Sequence, residues 1–219
     1  MPAIRIKLPK TDIFMMKITV RQELYLNFVP STNPKPVMII VESKRKKMET
    51  LEKEYPGAMI IDVTSHANNE FVQFSPFYPH GGIPVPFTDY ISAESVEGIW
   101  QGLKVFENYN IDTSKFRIKN MKDVKRTTRK YGKCLGHRKG IRSTELLDYI
   151  EARKKIYLPS YKWVLDNKLQ KLVTAIRVIA KNKPVVLLDY ETNADVNDYR
   201  KPLSHASLIK AYIEGNYPE

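Results

Sequence analysis

The sequence predicts a mixed α/β (α+β) fold, mostly helical with a small sheet and a βαβ elaboration at its N-terminal end. Three observations carry this. Two short apolar runs, Val37–Val41 and Ala58–Val63, flank a stretch of helical periodicity. A wide apolar stripe of Leu165, Leu169, Leu172, Val173, Ile176 and Ile179 repeats at helical spacing. A third apolar run, PVVLLDY from Pro184 to Tyr190, has the composition of a central strand.

In chain order, residues 1–36 alternate in IRIKL and KITVRQELYLNFV and then break at PSTNPKP, which predicts a strand-rich extension. Residues 37–219 follow as a single domain. Val37–Val41 reads as a buried strand, and Ser43 caps a helix to Glu54 that turns Met48, Leu51 and Tyr55 inward. Pro56-Gly57 ends that helix, and Ala58–Val63 is the second, parallel strand. Phe71–Phe74 is expected to be a third. The stretch from Phe71 to Phe87 is almost uncharged and holds five aromatics, four prolines and the pair Gly81-Gly82, a backbone of defined shape. Ser92 or Ser95 then caps a helix over about 95–109. Further helices are expected over 119–131, from Ser143 onward with Leu146, Leu147, Ile150 and Ile156 on its apolar side, over 160–181, and from Ser204 to Gly215.

Charge is concentrated. The net charge is +12, and twelve cations lie between Thr113 and Arg142 with Asp123 alone opposing them. On a helix over 119–131, Lys122, Lys125, Arg126, Arg129 and Lys133 form one cationic stripe, which Lys130, Arg138 and Lys139 extend. This points to a polyanion, and nucleic acid is the natural partner, DNA ahead of RNA. The competing reading is a solvated face.

The single cysteine, Cys134, gives no disulfide framework, and no apolar run is long enough to span a membrane. MPAIRIKLPK lacks the apolar core of a signal peptide, so a cytoplasmic location is expected. The four histidines lack metal-ligand spacing, and no phosphate-loop, dinucleotide or zinc-deaminase motif is present. No metal or cofactor is expected.

The richest chemistry lies between Phe71 and Phe106. On the expected helix, Glu97, Gln101 and Lys104 share one face, while Ile99, Leu103 and Phe106 face the core. A plain Glu97–Lys104 surface pair is the alternative. Asp189 and Glu191 end the PVVLL strand, where ligands often bind in α/β sheets, or else belong to a solvated turn. His80 is the histidine placed nearest this region.

The segments FSPFYP (Phe74–Pro79) and SVEGIWQGLK (Ser95–Lys104) resemble the paired signatures of the NADAR (YbiA-like) N-glycosidases. Phe74, Ser75, Phe77, Tyr78 and Pro79 match the first signature, and Glu97, Gln101 and Lys104 the second. Pro76 stands where that family has Asn, and Gly98 where it has His. The resemblance covers about thirty-five residues. It implies a NADAR-like catalytic domain that hydrolyses a C–N glycosidic bond, with Glu97 as the first catalytic group. Asp189 and Glu191, from their place at the strand end, are the candidates for a second carboxylate. Lys104 would hold a phosphate or attack C1′. Phe74, Ser75, Phe77, Tyr78, His80, Trp100 and Gln101 would bind substrate. Joined to the cationic stripe, this gives a DNA-glycosylase-like enzyme that removes a modified or damaged base, with phage DNA as one setting. The alternatives are an N-glycosidase on a free nucleotide, riboflavin-precursor-like molecule or ADP-ribosyl adduct, and a nucleic-acid-binding protein whose glycosidase site has decayed.

Overall fold

A computed structural model describes residues 38–218; the N-terminal extension expected over residues 1–36 lies outside them. Three parallel strands form the central sheet: β1 (Ile39–Ser43), β2 (Met59–Asp62) and β8 (Val185–Asp189), in the order β1-β8-β2. Helix α1 (Met48–Glu54) joins β1 to β2, so the βαβ unit forms. The helix begins after Lys47, however, because Ser43 is the last residue of β1, and Met48 faces solvent while Leu51 is buried. The C-terminal strand lies between its two strands, pairing Val186 with both Ile40 and Ile60. Burial on both faces is what the unbroken VVLL run requires. Val186 and Leu188 pack on Leu51 of α1, while Val185 and Leu187 face the main core on the opposite side.

That core is supplied by α5 (Leu158–Asn167), α6 (Gln170–Asn182) and α7 (His205–Glu214). The helix expected over 160–181 is therefore two. Asn167 and Gln170 donate their side-chain amides to the carbonyls of Trp163 and Leu165, which ends α5 without glycine or proline. Ser204 caps α7 through the Ser207 N–H, and Gly215 closes it at φ 79°, both as expected.

Between the second and last parallel strands the chain departs further from expectation. Glu70–Phe74 is a 3₁₀ turn begun by the Asn69 side chain, not a strand. Two small antiparallel sheets appear: β3 (Ile83–Pro84) with β4 (Ser92–Ala93), and β5 (Lys104–Phe106) with β6 (Cys134–Arg138) and β7 (Leu146–Leu147). Helix α2 covers Val96–Gly102 alone. It stops because its last carbonyls are taken from outside the helix. The Arg126 guanidinium donates to the carbonyls of Gln101 and Lys104, and the Asp112 and Arg138 backbone N–H groups bond Gly102 and Leu103.

The same contacts remove the helix expected over 119–131. Within the basic segment 113–142 only a 3₁₀ turn (Thr113–Arg117) and the short α3 (Thr128–Tyr131) are helical. Arg126 is buried, its backbone N–H bonded to the Gln101 side chain and its guanidinium to three carbonyls. Ahead of it, the Asn120 side chain bonds the Lys122 N–H and Asp123 takes φ 58°, both incompatible with a continuing helix. The continuous cationic stripe does not exist. Helix α4 (Tyr149–Ala152), capped by Asp148, begins later than Ser143 and runs through a π turn (Arg153–Tyr157) into α5.

Candidate functional site

A cavity of about 530 Å³ opens at the carboxyl ends of β2 and β8, where the loops that leave a parallel sheet diverge and ligands commonly bind. Thr64, Ser65 and His66 follow β2 along one side, and Asp189, the last residue of β8, is followed by Tyr190 and Glu191 on another. The aromatic loop contributes Ser75, Pro76 and Phe77, and α2 contributes Glu97 and Trp100. Tyr149, Arg153 and Tyr157 complete the wall. Their spacing of four residues holds one face through the π turn, a helical irregularity often found at functional sites.

Glu97 and Asp189 are the two buried carboxylates of this cavity, and Glu97 is the one without an ion-pair partner among the described residues. Ser95 caps α2 through the Gly98 N–H, and the Glu97 N–H bonds the Pro76 carbonyl at 2.8 Å, so loop and helix position each other. Gln101 donates its amide to Glu97 Oε1 at 2.7 Å. Burial raises the Glu97 pKa; Gln101, Lys104 and Lys125 offset this only in part.

Lys104 follows the helix rather than lying on it, and reaches the same cavity from the first position of β5. Burial lowers its pKa, Glu97 works against that, and Lys125 and Arg126 reinforce it. No ion pair joins Lys104 to Glu97 among the described residues, so the plain surface pair is not formed. Lys125 stands at the rim, 5.2 Å from the Phe77 ring centroid.

Asp189 is engaged elsewhere. His205 Nδ1 approaches its Oδ2 at 2.9 Å, and the Ser204 hydroxyl and Ala206 N–H donate to the same oxygen. Burial opposes the charge, yet His205 and these donors hold Asp189 below the ordinary carboxylate range. The other ring nitrogen of His205 faces the Val63 carbonyl at 2.8 Å. An acceptor at each nitrogen favours the imidazolium and raises the His205 pKa against the cost of burial. Asp189 is thus half of a buried ion pair that ties α7 to β8. Glu191 remains on the cavity wall, with Arg45 3.8 Å away.

The other expected residues divide. Ser75, Phe77 and Trp100 line the cavity, and Gln101 lies one bond behind it. Phe74 is wholly buried in the core, with its carbonyl bonded by Tyr161. Tyr78 and His80 pack on each other away from the cavity, and His80 bonds the Gln73 carbonyl. Among the cations, Arg138 is bonded to the Ser143 carbonyl and the Asn110 side chain, and Lys139 to Glu145. Lys122, Arg129, Lys130 and Lys133 remain exposed. Sequence reasoning missed His66, Tyr149, Arg153, Tyr157 and His205. The spacing of Tyr149, Arg153 and Tyr157 was the available signal.

Gly98, where the glycosidase signature has His, also has a structural reason. A Cβ there would lie 2.7 Å from the Lys115 carbonyl. The sequence profile of a protein family matches residues 43–209, three quarters of the chain and all the residues that line the cavity. The chain belongs to DUF6939, a family of unknown function. No curated protein and no solved structure matches it. The matched range begins at the last residue of β1 and ends within α7, so this DUF6939 cavity is built inside it. Among the described residues no helix is long and apolar enough to cross a membrane, and no group of three His, Cys, Asp or Glu is placed to hold a metal ion.

Proposed function

We propose that the cavity is the active site of an N-glycosidase that hydrolyses the C–N glycosidic bond of a nucleotide-like molecule. The observation that carries this reading is the setting of Glu97: a buried carboxylate on a cavity wall, oriented by Gln101, with ammonium groups at Lys104 and Lys125. The partial match to the NADAR signatures supplies the reaction class. In the proposed step the C1′–N bond breaks and its electron pair leaves with the base. Glu97 stabilises the sugar cation and takes a proton from the water that adds to C1′. Lys104, whose lowered pKa makes its ammonium a better acid, gives the departing nitrogen a proton and recovers it from Glu97 through solvent. Trp100, Phe77 and Tyr157 supply the flat, apolar walls that a base and a sugar require.

A free nucleotide, riboflavin-precursor-like molecule or ADP-ribosyl adduct takes precedence over a base within DNA. The continuous cationic stripe that favoured nucleic acid is not formed: Arg126 and Arg138 are bonded to backbone carbonyls of the fold, and Lys139 is paired with Glu145. The test is incubation of the wild type and Glu97→Gln with mononucleotides, ADP-ribosyl compounds and modified oligonucleotides, followed by mass spectrometry of released bases. Release by the wild type and not by the variant supports the reading. No release from any of them, or equal release by both proteins, overturns it.

A further inference from the structure

Beside the cavity, Asp148, Tyr149, Ile150 and Tyr199 line a second hollow of about 410 Å³. Tyr149 belongs to both, so the two spaces share a wall. One buried guanidinium fixes that wall and the loop opposite. Arg153 sits 4.4 Å from the Tyr149 ring centroid and donates to its hydroxyl at 3.0 Å. It also donates to the carbonyls of Val196, Asp198 and Lys201, on both sides of Tyr199 in sequence. No carboxylate pairs with Arg153 among the described residues; its bonds go to Tyr149 and to the loop that carries Tyr199. Tyr199, held by its flanking carbonyls, is 71% exposed, and Tyr149 is 38% exposed. Two aromatic rings are therefore kept at a solvent-open hollow next to the cavity, at the cost of burying a charge.

We infer that this hollow is a second stacking subsite, which takes a second nucleobase joined through phosphate to the nucleotide in the cavity. The inference rests on reading the cavity as a nucleotide site. Aromatic faces accept any base, and the shared Tyr149 wall sets the hollow directly beside the cavity, as one linked ligand requires. Lys104 and Lys125 at the cavity side give a phosphate linker a cationic flank. The linker belongs either to a dinucleotide with a diphosphate bridge or to a short nucleic-acid strand.

Equilibrium binding of AMP, nicotinamide mononucleotide, NAD and the dinucleotide d(ApA) to wild type, Tyr199→Ala and Tyr199→Phe tests this. Because Tyr199 is exposed, its replacement leaves the fold intact. The expected result is that NAD or d(ApA) binds the wild type more tightly than either mononucleotide. Tyr199→Ala should lower that affinity by about 5- to 150-fold, the usual loss of one stacked base, with the mononucleotides unchanged. Tyr199→Phe should behave as the wild type. Preference for NAD identifies the diphosphate-bridged class, and preference for d(ApA) the strand. If mononucleotides bind but two-base ligands gain nothing, or Tyr199→Ala binds all four as the wild type does, the subsite is wrong and the cavity reading stands. If none of the four binds, both fall.

Discussion

Gln101 joins the proposed catalytic carboxylate to the basic segment: its amide donates to Glu97 Oε1 at 2.7 Å while its carbonyl oxygen receives the Arg126 backbone N–H at 2.9 Å. Because a backbone N–H can only donate, the amide orientation is fixed, and Gln101 must present its NH₂ to Glu97. The carboxylate is held from behind and open toward the cavity. Such an arrangement leaves one oxygen for chemistry.

Glu97→Gln should therefore retain the fold, since the carbonyl of the substituted amide still accepts from Gln101, and should lose the charge. The expected loss is roughly 10²–10⁴ in turnover, the usual size of a transition-state electrostatic contribution. Base release and thermal unfolding measured on one preparation check it. A variant with more than about a third of wild-type turnover would remove Glu97 from the mechanism.

Arg126 has the opposite profile. Its guanidinium ends α2, and its flat face lies 4.8 Å from the Phe106 ring centroid and 4.9 Å from that of Tyr131. Arg126→Ala leaves buried carbonyls unpartnered and should destabilise the protein by about 1–3 kcal/mol. Arg129→Ala, at an exposed cation, should stay within about 0.5 kcal/mol. Denaturant melts of the two variants decide between a structural and a purely surface role for Arg126.

Elements whose signal is local were legible in the sequence. The VVLL strand, the βαβ unit and the Ser204 and Gly215 caps each depend on a few consecutive residues. The basic segment failed because its conformation is set at long range: Arg126 serves a helix end some twenty-five residues earlier, and periodicity cannot show that. The same holds for Asp189, whose place at a strand end is local but whose partner His205 arrives from another element. Within the site, Glu97, Trp100, Lys104 and Ser75 do meet in one cavity. Phe74 and Tyr78 share their motif but alternate away from it.

Gly98 supplies a steric prediction. A Cβ 2.7 Å from the Lys115 carbonyl meets backbone, which cannot swing aside as a side chain can. Gly98→Ala should cost about 1–3 kcal/mol despite better helix propensity, and Gly98→His should cost at least as much. Thermal melts at one pH suffice. A Gly98→Ala protein as stable as the wild type would mean that the 3₁₀ turn at Thr113–Arg117 yields freely.

Two buried histidines should give stability opposite dependences on pH. His205 carries a raised pKa: burial lowers it, but Asp189 and the Val63 carbonyl more than compensate. The folded state then binds the proton more tightly than the unfolded chain, so the contribution of His205 is complete below 6.5 and is lost as pH rises through the raised value. His137 is the reverse. Its ring lies 3.8 Å from that of Trp100, centroid to centroid, with neither nitrogen bonded, and burial with the nearby Lys104 ammonium pushes its pKa down to about 3. Its contribution is complete above 6.5 and is lost as pH falls from 6.5 toward 3, where the unfolded chain takes up a proton that the folded one refuses. His137→Phe keeps the ring against Trp100 and removes the titration, so its stability relative to the wild type should improve steadily as pH drops below 6.5. His205→Gln should be less stable than the wild type, and the gap should be widest at or below 6.5 and narrow in alkali. Unfolding midpoints of the three proteins from about pH 4 to 9 decide it. A His137→Phe difference that does not change with pH would show the imidazole to be solvated, and would undo the account of how Trp100 is backed.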